Sequence, residues 1–179
     1  MIFKEQTKSV PITKMMVWEA YKLVKSNKGS AGIDLQTLVG FEKNRSKELY
    51  KIWNRLASGC YFPQNVKRVF IPKDGGKTRP LGIPTVSDRI AQQVIKTYIE
   101  PRLEAKFMDN SYGYRPNKSA HQAVKEVQCN VKKYSWVIDL DIQEFFDNVN
   151  HELLYKALKV DVSEPWVQMY ITRWLESPI

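Results

Sequence analysis

Two carboxylates, Asp139 and Asp141, sit in the apolar run Tyr134-Ser-Trp-Val-Ile-Asp-Leu-Asp-Ile142, which leads into the aromatic pair Phe145-Phe146. Trp136, Ile138, Leu140 and Ile142 alternate with Val137, Asp139 and Asp141, so a period of 2 predicts a strand with both acids on one face and the bulky apolar residues on the other. An acid held rigidly at the edge of such a strand suits a hard divalent cation such as Mg²⁺, which in turn organises phosphoryl transfer. Acids at strand ends also act as solvated or capping residues, and this segment alone leaves both readings open.

The elements around this run are read as mostly helical. Met16, Ala20, Leu23 and Val24 recur at helical spacing until Asn27-Lys28-Gly29. Asp34 is expected to cap a short helix from Leu35, and Leu49, Ile52, Trp53 and Leu56 mark another that ends at Ser58-Gly59. The runs 66–73 and 78–84, joined by Asp74-Gly-Gly-Lys77, read as a hairpin whose prolines suit edge strands. Ser87 is the expected cap of a helix carrying Ile90, Val94 and Tyr98, which Pro101 should kink or restart. Ser119 and Asn150 are expected to cap two further helices, and Pro165 to sit in the first turn of a last one carrying Val167, Tyr170, Ile171 and Trp174. There are no internal repeats.

The composition is that of a globular protein: 179 residues, 43% hydrophobic and 12% aromatic, enough for a core. Cys60 and Cys129 show no paired spacing, so neither a disulfide framework nor a zinc site is indicated, and a reducing, cytoplasmic setting fits. No run reaches the length of a membrane span. The net charge of +9 is unevenly divided. Residues 1–133 carry 25 basic against 11 acidic side chains, net +14, whereas residues 134–179 carry 3 against 8, net −5. A basic body beside an acidic patch suits a protein that grips a polyphosphate with one part and holds a metal with the other, although many of these lysines are also ordinary solvated helix faces.

Five motifs in order carry a resemblance: Lys28-Gly-Ser-Ala-Gly-Ile-Asp34, Arg68-Val-Phe-Ile-Pro-Lys73, Arg79-Pro-Leu-Gly-Ile-Pro-Thr85 with Asp88-Arg89, Ser111-Tyr-Gly-Tyr-Arg-Pro116 and Asp141-Ile-Gln-Glu-Phe-Phe-Asp147. Over about residues 20–158 the chain resembles the bacterial group II intron-encoded reverse transcriptases, also called maturases. The resemblance implies an α+β fold: a reverse-transcriptase fingers region of mostly helices with a β-hairpin, plus the first part of a palm. It implies a segmentation into an N-terminal extension and start of fingers (1–60), fingers (61–133) and a partial palm (134–179). A strand bearing Tyr-x-Asp-Asp and a Gln-Gly-containing motif are missing, so the chain is expected to be a fragment of a longer protein.

By the same resemblance, Asp141 is the expected catalytic aspartate, with the carbonyl of Ile142 assisting it at a Mg²⁺ site that is incomplete in this chain. Phe145 matches the aromatic gate that disfavours a 2′-hydroxyl, and Lys67, Lys73 and Arg79 match positions that reach a deoxynucleoside triphosphate, a solvated hairpin edge being the lesser alternative for Lys73 and Arg79. Asp139 matches no fixed role and reads as a structural or supporting acid. Arg68, Arg89, Tyr112 and Arg115 are the candidate RNA contacts, with Tyr114 beside them; a tyrosine-rich loop can equally pack on its own domain. His121 and His151 read as packing or capping residues.

The expected activity is RNA-directed DNA synthesis by two-metal phosphoryl transfer in the full-length parent, on an RNA template and primer and with intron RNA as a further partner. The chain alone is expected to bind RNA without polymerising. The alternative is a non-enzymatic maturase module that assists splicing. A fragment with an unpaired acidic strand and a bare Val167/Tyr170/Trp174 helix face is also expected to self-associate, as a homodimer.

Overall fold

The computed structural model describes residues 9–72, 75–76 and 78–178, and the architecture is that of these residues. Thr13 opens α1 (Lys14–Ser26) by accepting from the Met16 amide, and Asn27 closes it before Lys28 and Gly29 turn the chain through positive φ. The next helix is α2 (Leu38–Lys43), and its cap is Thr37, whose hydroxyl accepts from Gly40 N–H. The expected start at Leu35 is therefore displaced. Asp34 instead accepts from the Gln36 amide two residues on, an Asx turn that leaves Leu35 in the left-handed region at φ 57°.

After α3 (Arg45–Ala57), strands β1 (Lys67–Pro72) and β2 (Thr78–Ile83) pair antiparallel as the expected hairpin. Helix α4 (Val86–Glu104) begins one residue before its expected cap. Thr85 takes that place, its hydroxyl accepting from the Asp88 amide, and the helix continues through Pro101. Then come α5 (Ala120–Asn130), opened by a reciprocal box between Ser119 and Gln122, the single turn α6 (Phe145–Asn148), α7 (His151–Asp161) with the Asn150 side chain accepting from Leu153 N–H, and α8 (Pro165–Leu175) with proline in its first turn. Mixed helices with one antiparallel hairpin make an α+β, fingers-like fold.

Two compact units divide the chain: the described residues up to Ile99 together with those from Val162 onward, and Glu100–Asp161. The first holds the core. Val17, Ala20, Tyr21 and Val24 of α1, Phe41 of α2, Ile52, Leu56 and Ala57 of α3, and Val86, Ile90, Ala91, Val94 and Ile95 of α4 are all buried. Tyr21 stacks on Phe41 and donates to Glu42, which also pairs with Lys25. The apolar face of α8 is part of this core. Val167 and Tyr170 are buried, the Tyr170 hydroxyl donates to Leu56 O at 2.6 Å, and Trp174 lies against Tyr61. The sequence expectation of a bare face there is corrected, because residues more than a hundred positions earlier cover it.

The second unit contains no buried residue among those described. Its helices stand on caps and ion pairs, such as Lys106 with Asp161.

Candidate nucleic-acid interface

Each half of the hairpin contributes a cation to the same side. In the register, Lys67 faces Ile83, Val69 faces Leu81 and Ile71 faces Arg79. Directly opposed residues share a face and alternate residues switch, so Lys67 and Arg79 lie on one side while Arg68 lies on the other. Four residues of strand separate Lys67 from the partner of Arg79, roughly 13 Å at about 3.3 Å per residue. Lys73, the third expected triphosphate contact, lies outside the described residues.

The base of the hairpin is held from two directions. Asp88, 2% exposed near the start of α4, accepts from the Tyr61 hydroxyl at 2.7 Å, the Thr85 hydroxyl at 2.7 Å and the Gln64 amide at 3.2 Å. Burial, reinforced by the Asp88 charge, raises the Tyr61 pKa far above that of an ordinary phenol. From α8, Arg173 donates to Gly59 O and Tyr61 O with its guanidinium 4.0 Å from the centre of the Phe62 ring, while Val66 N–H donates to Pro178 O. The 58–66 segment that feeds β1 is thereby fixed, and β1 and β2 with it. Asp88 belongs to one of the motifs that identified the family, yet sequence reasoning attached no role to it; the signal was a lone acid one turn into a helix with Thr three residues before it.

Arg89 turns inward. Its Nη1 and Nη2 donate to Lys28 O and Ser30 O, and a Cβ on Gly29 would fall 2.3 Å from Nη1. Gly32 is as tightly placed, a Cβ there meeting the Thr85 backbone at 2.7 Å. The 28–34 motif is thus a loop docked onto the start of α4, with Arg89 as its clamp. Burial holds the Arg89 pKa below the usual guanidinium value, Asp34 opposing this in part. Beside the clamp, Val24, Asn27, Lys28, Gln92, Gln93 and Lys96 line a recess of about 430 Å³.

In the second unit, Arg115 is likewise engaged with its own loop: Nε and Nη2 donate to Glu104 Oε1 at 2.9 and 2.7 Å, and Nη1 to Met108 O and Ser111 O. The hydrogen bond from Arg115 lowers the Glu104 pKa. Tyr112 is half-buried with the Lys118 ammonium 5.1 Å from its ring centre, whereas Tyr114 is 94% exposed.

The expected acidic strand is not formed. Residues 136–142 have no regular secondary structure, and Trp136, Ile138, Leu140 and Ile142 are 68–89% exposed. A strand exists only through hydrogen bonds to a neighbour, and β1 with β2 is the only pairing among the described residues. Asp139 and Asp141 are exposed on this segment, and Phe145 packs edge-on against Phe146 at the start of α6. Among the described residues no three His, Cys, Asp or Glu side chains gather, so the donor set does not fit a two-metal centre. His151 lies edge-on to Tyr155, while His121 is exposed in the first turn of α5. No helix among the described residues is long and apolar enough to cross a membrane.

Residues 71–178 match the family described as reverse transcriptase (RNA-dependent DNA polymerase), and the chain belongs to that family. Within it, the chain groups with the group II intron reverse transcriptases and maturases. It is 34% identical over 161 residues to the group II intron-encoded protein LtrA of Lactococcus lactis, an alignment covering 88% of this chain and 26% of LtrA. It is 38% identical over 153 residues to protein YkfC of Escherichia coli (82% and 40%), and 32% identical over 151 residues to the putative COX1/OXI3 intron 1 protein of Saccharomyces cerevisiae (83% and 18%). The chain spans less than half the length of each of these relatives.

Proposed function

We propose that this chain supplies the fingers and the opening of the palm of an RNA-directed DNA polymerase of the group II intron type, which copies RNA into DNA from deoxynucleoside triphosphates. The segmentation at 60/61 and 133/134 belongs to this proposal, as do template RNA and intron RNA as partners. The observation that carries it is the reverse-transcriptase match over residues 71–178, which takes in Arg79, Asp141, Ile142 and Phe145. The hairpin supports it. Lys67 and Arg79 on one face of a strand pair with a fixed base are preorganised donors for phosphate oxygens, and such donors act without reorganising as charge develops. Phe145, half-exposed beside Phe146, offers an apolar wall to a sugar. The requirement for Mg²⁺ rests on the family alone.

Primer extension on an RNA template, with the longer protein that carries this chain, tests the reading. Asp141→Asn is expected to lower DNA synthesis by several orders of magnitude with RNA affinity unchanged. Lys67→Ala and Arg79→Ala are expected to raise the KM for deoxynucleotides, and Phe145→Ala to admit ribonucleotides. Synthesis unaffected by Asp141→Asn refutes the polymerase assignment. A wild-type protein that holds intron RNA and synthesises nothing points to the alternative, a non-enzymatic maturase.

A further inference from the structure

We infer that Tyr114 is a stacking platform for an unpaired base of single-stranded RNA, and that Arg115 is the positioning residue that holds it out. The inference rests on the RNA-binding part of the proposed function and adds to it the residue, the mode of contact and the form of RNA. Its starting point is a conflict. An aromatic side chain gains most by burial, yet Tyr114 is 94% exposed. Its backbone is strained as well: φ is +58°, the left-handed region that bulky residues adopt only when their surroundings impose it.

The surroundings that impose it begin at the next residue. The Arg115 side chain is 7% exposed and closes the loop by donating to Glu104 Oε1 twice, to Met108 O and to Ser111 O. Lys118 ties the other side to Asp109 O at 2.8 Å. With Arg115 drawn in, the left-handed residue before it carries its ring to the outside. The two tyrosines of the loop are used differently, since Tyr112 is half-buried under the Lys118 ammonium. Gly113 between them leaves open space where a Cβ would stand.

A planar ring carried to the outside of a loop that Arg115 closes matches a nucleobase: stacking needs a π face on each side, tolerates any sequence and adds to electrostatic grip on the backbone. Arg115 makes no phosphate contact in this arrangement, because its donors are already committed to the loop.

The test is binding of the 179-residue chain to a single-stranded oligoribonucleotide containing 2-aminopurine, read by anisotropy and by quenching of the base, across a salt series. Tyr114→Ala is expected to weaken binding roughly 5- to 150-fold, the equivalent of about 1–3 kcal/mol for one base. It should also abolish one component of quenching, leave affinity for duplex RNA unchanged and leave the salt slope unchanged. Tyr114→Phe should bind as wild type. Arg115→Ala should reproduce the loss with the same salt slope and add little to Tyr114→Ala. A slope lowered by about one marks a direct phosphate contact and overturns the positioning role. Equal affinity and quenching for wild type and Tyr114→Ala overturn the stacking role even if RNA is bound, and loss of self-association in place of RNA affinity assigns the ring to a protein contact and also overturns it. A wild-type chain that binds no RNA at any salt removes RNA binding from the proposed function together with this inference, a result distinct from the others.

Discussion

Replacing Asp88 by alanine is expected to destabilise the core unit by about 4 kcal/mol. The carboxylate serves three donors, and the cost depends on which of them water can reach. Gln64 is exposed, so its amide can be rehydrated; the hydroxyls of Tyr61, 5% exposed, and Thr85, fully buried, cannot. Each buried donor stripped of its acceptor costs about 1–3 kcal/mol, and two of them set the estimate. At roughly 2–4 °C per kcal/mol for a chain of this size, the melting temperature should fall by about 8–16 °C. Asp88→Asn separates this account from simple loss of volume. An amide can keep its oxygen toward Thr85 and Gln64 and turn its nitrogen toward Tyr61, whose hydroxyl then accepts instead of donating. The expected loss is about 1–3 kcal/mol, that of the one buried donor, the Tyr61 O–H, left without its acceptor. Calorimetry gives both numbers, and hydrogen exchange at Gln64 and along β1 should quicken in the alanine variant before global unfolding. Equal losses for Ala and Asn, or a loss below about 1 kcal/mol for Ala, refute the idea that this carboxylate locks the hairpin base.

Gly32→Ala should cost about 1–3 kcal/mol in thermal unfolding, because the new Cβ meets backbone atoms of Pro84 and Thr85 inside 3 Å and backbone cannot swing aside; a neutral effect would show that the 28–34 loop is not docked on α4. Glu104 makes the Tyr114 loop sensitive to acid. Its folded pKa is lowered by Arg115, so its contribution is complete above the unfolded value of roughly 4.3 and fades as pH drops through the lower folded value. Exchange of the Ser111 amide should therefore accelerate below about pH 4, with Glu104→Gln abolishing the dependence, and a pH-indifferent loop would contradict this.

The parts of the fold that local chemistry decides were legible in the sequence. Ser119 with Gln122, Asn150 and Pro165 opened helices where capping rules place them, and the two glycines at 75–76 between β-rich runs announced the hairpin. Local rules failed where two residues competed for one task. Asp34 and Thr37 both cap well, as do Thr85 and Ser87, and tertiary contacts chose between them. The 136–142 alternation states which residues would share a face but not whether a neighbouring strand is present to pair with. Charge was legible and its destination was not: Arg68, Arg89 and Arg115 all read as cations for RNA, yet Arg89 holds carbonyls of the distant 28–34 loop and Arg115 those of its own loop, and a string of residues does not display which carbonyls lie within reach. Lys67 and Arg79 were named from the resemblance, and the strand register adds that they share one face of the hairpin.

The ties between α8 and the 56–66 region span 112 to 114 positions of chain, from Tyr170 to Leu56, from Arg173 to Gly59 and Tyr61, and from Pro178 to Val66. On a ribosome, the core unit therefore cannot close when its first ninety-nine residues have emerged. It must wait while Glu100–Asp161 is synthesised, about 3–12 s at 5–20 residues per second. During that interval Leu56, Tyr61 and the hairpin base lack their cover, and closing so long a loop is entropically costly and slow. The nascent chain thus has a timed window in which the hairpin stands before its base is locked.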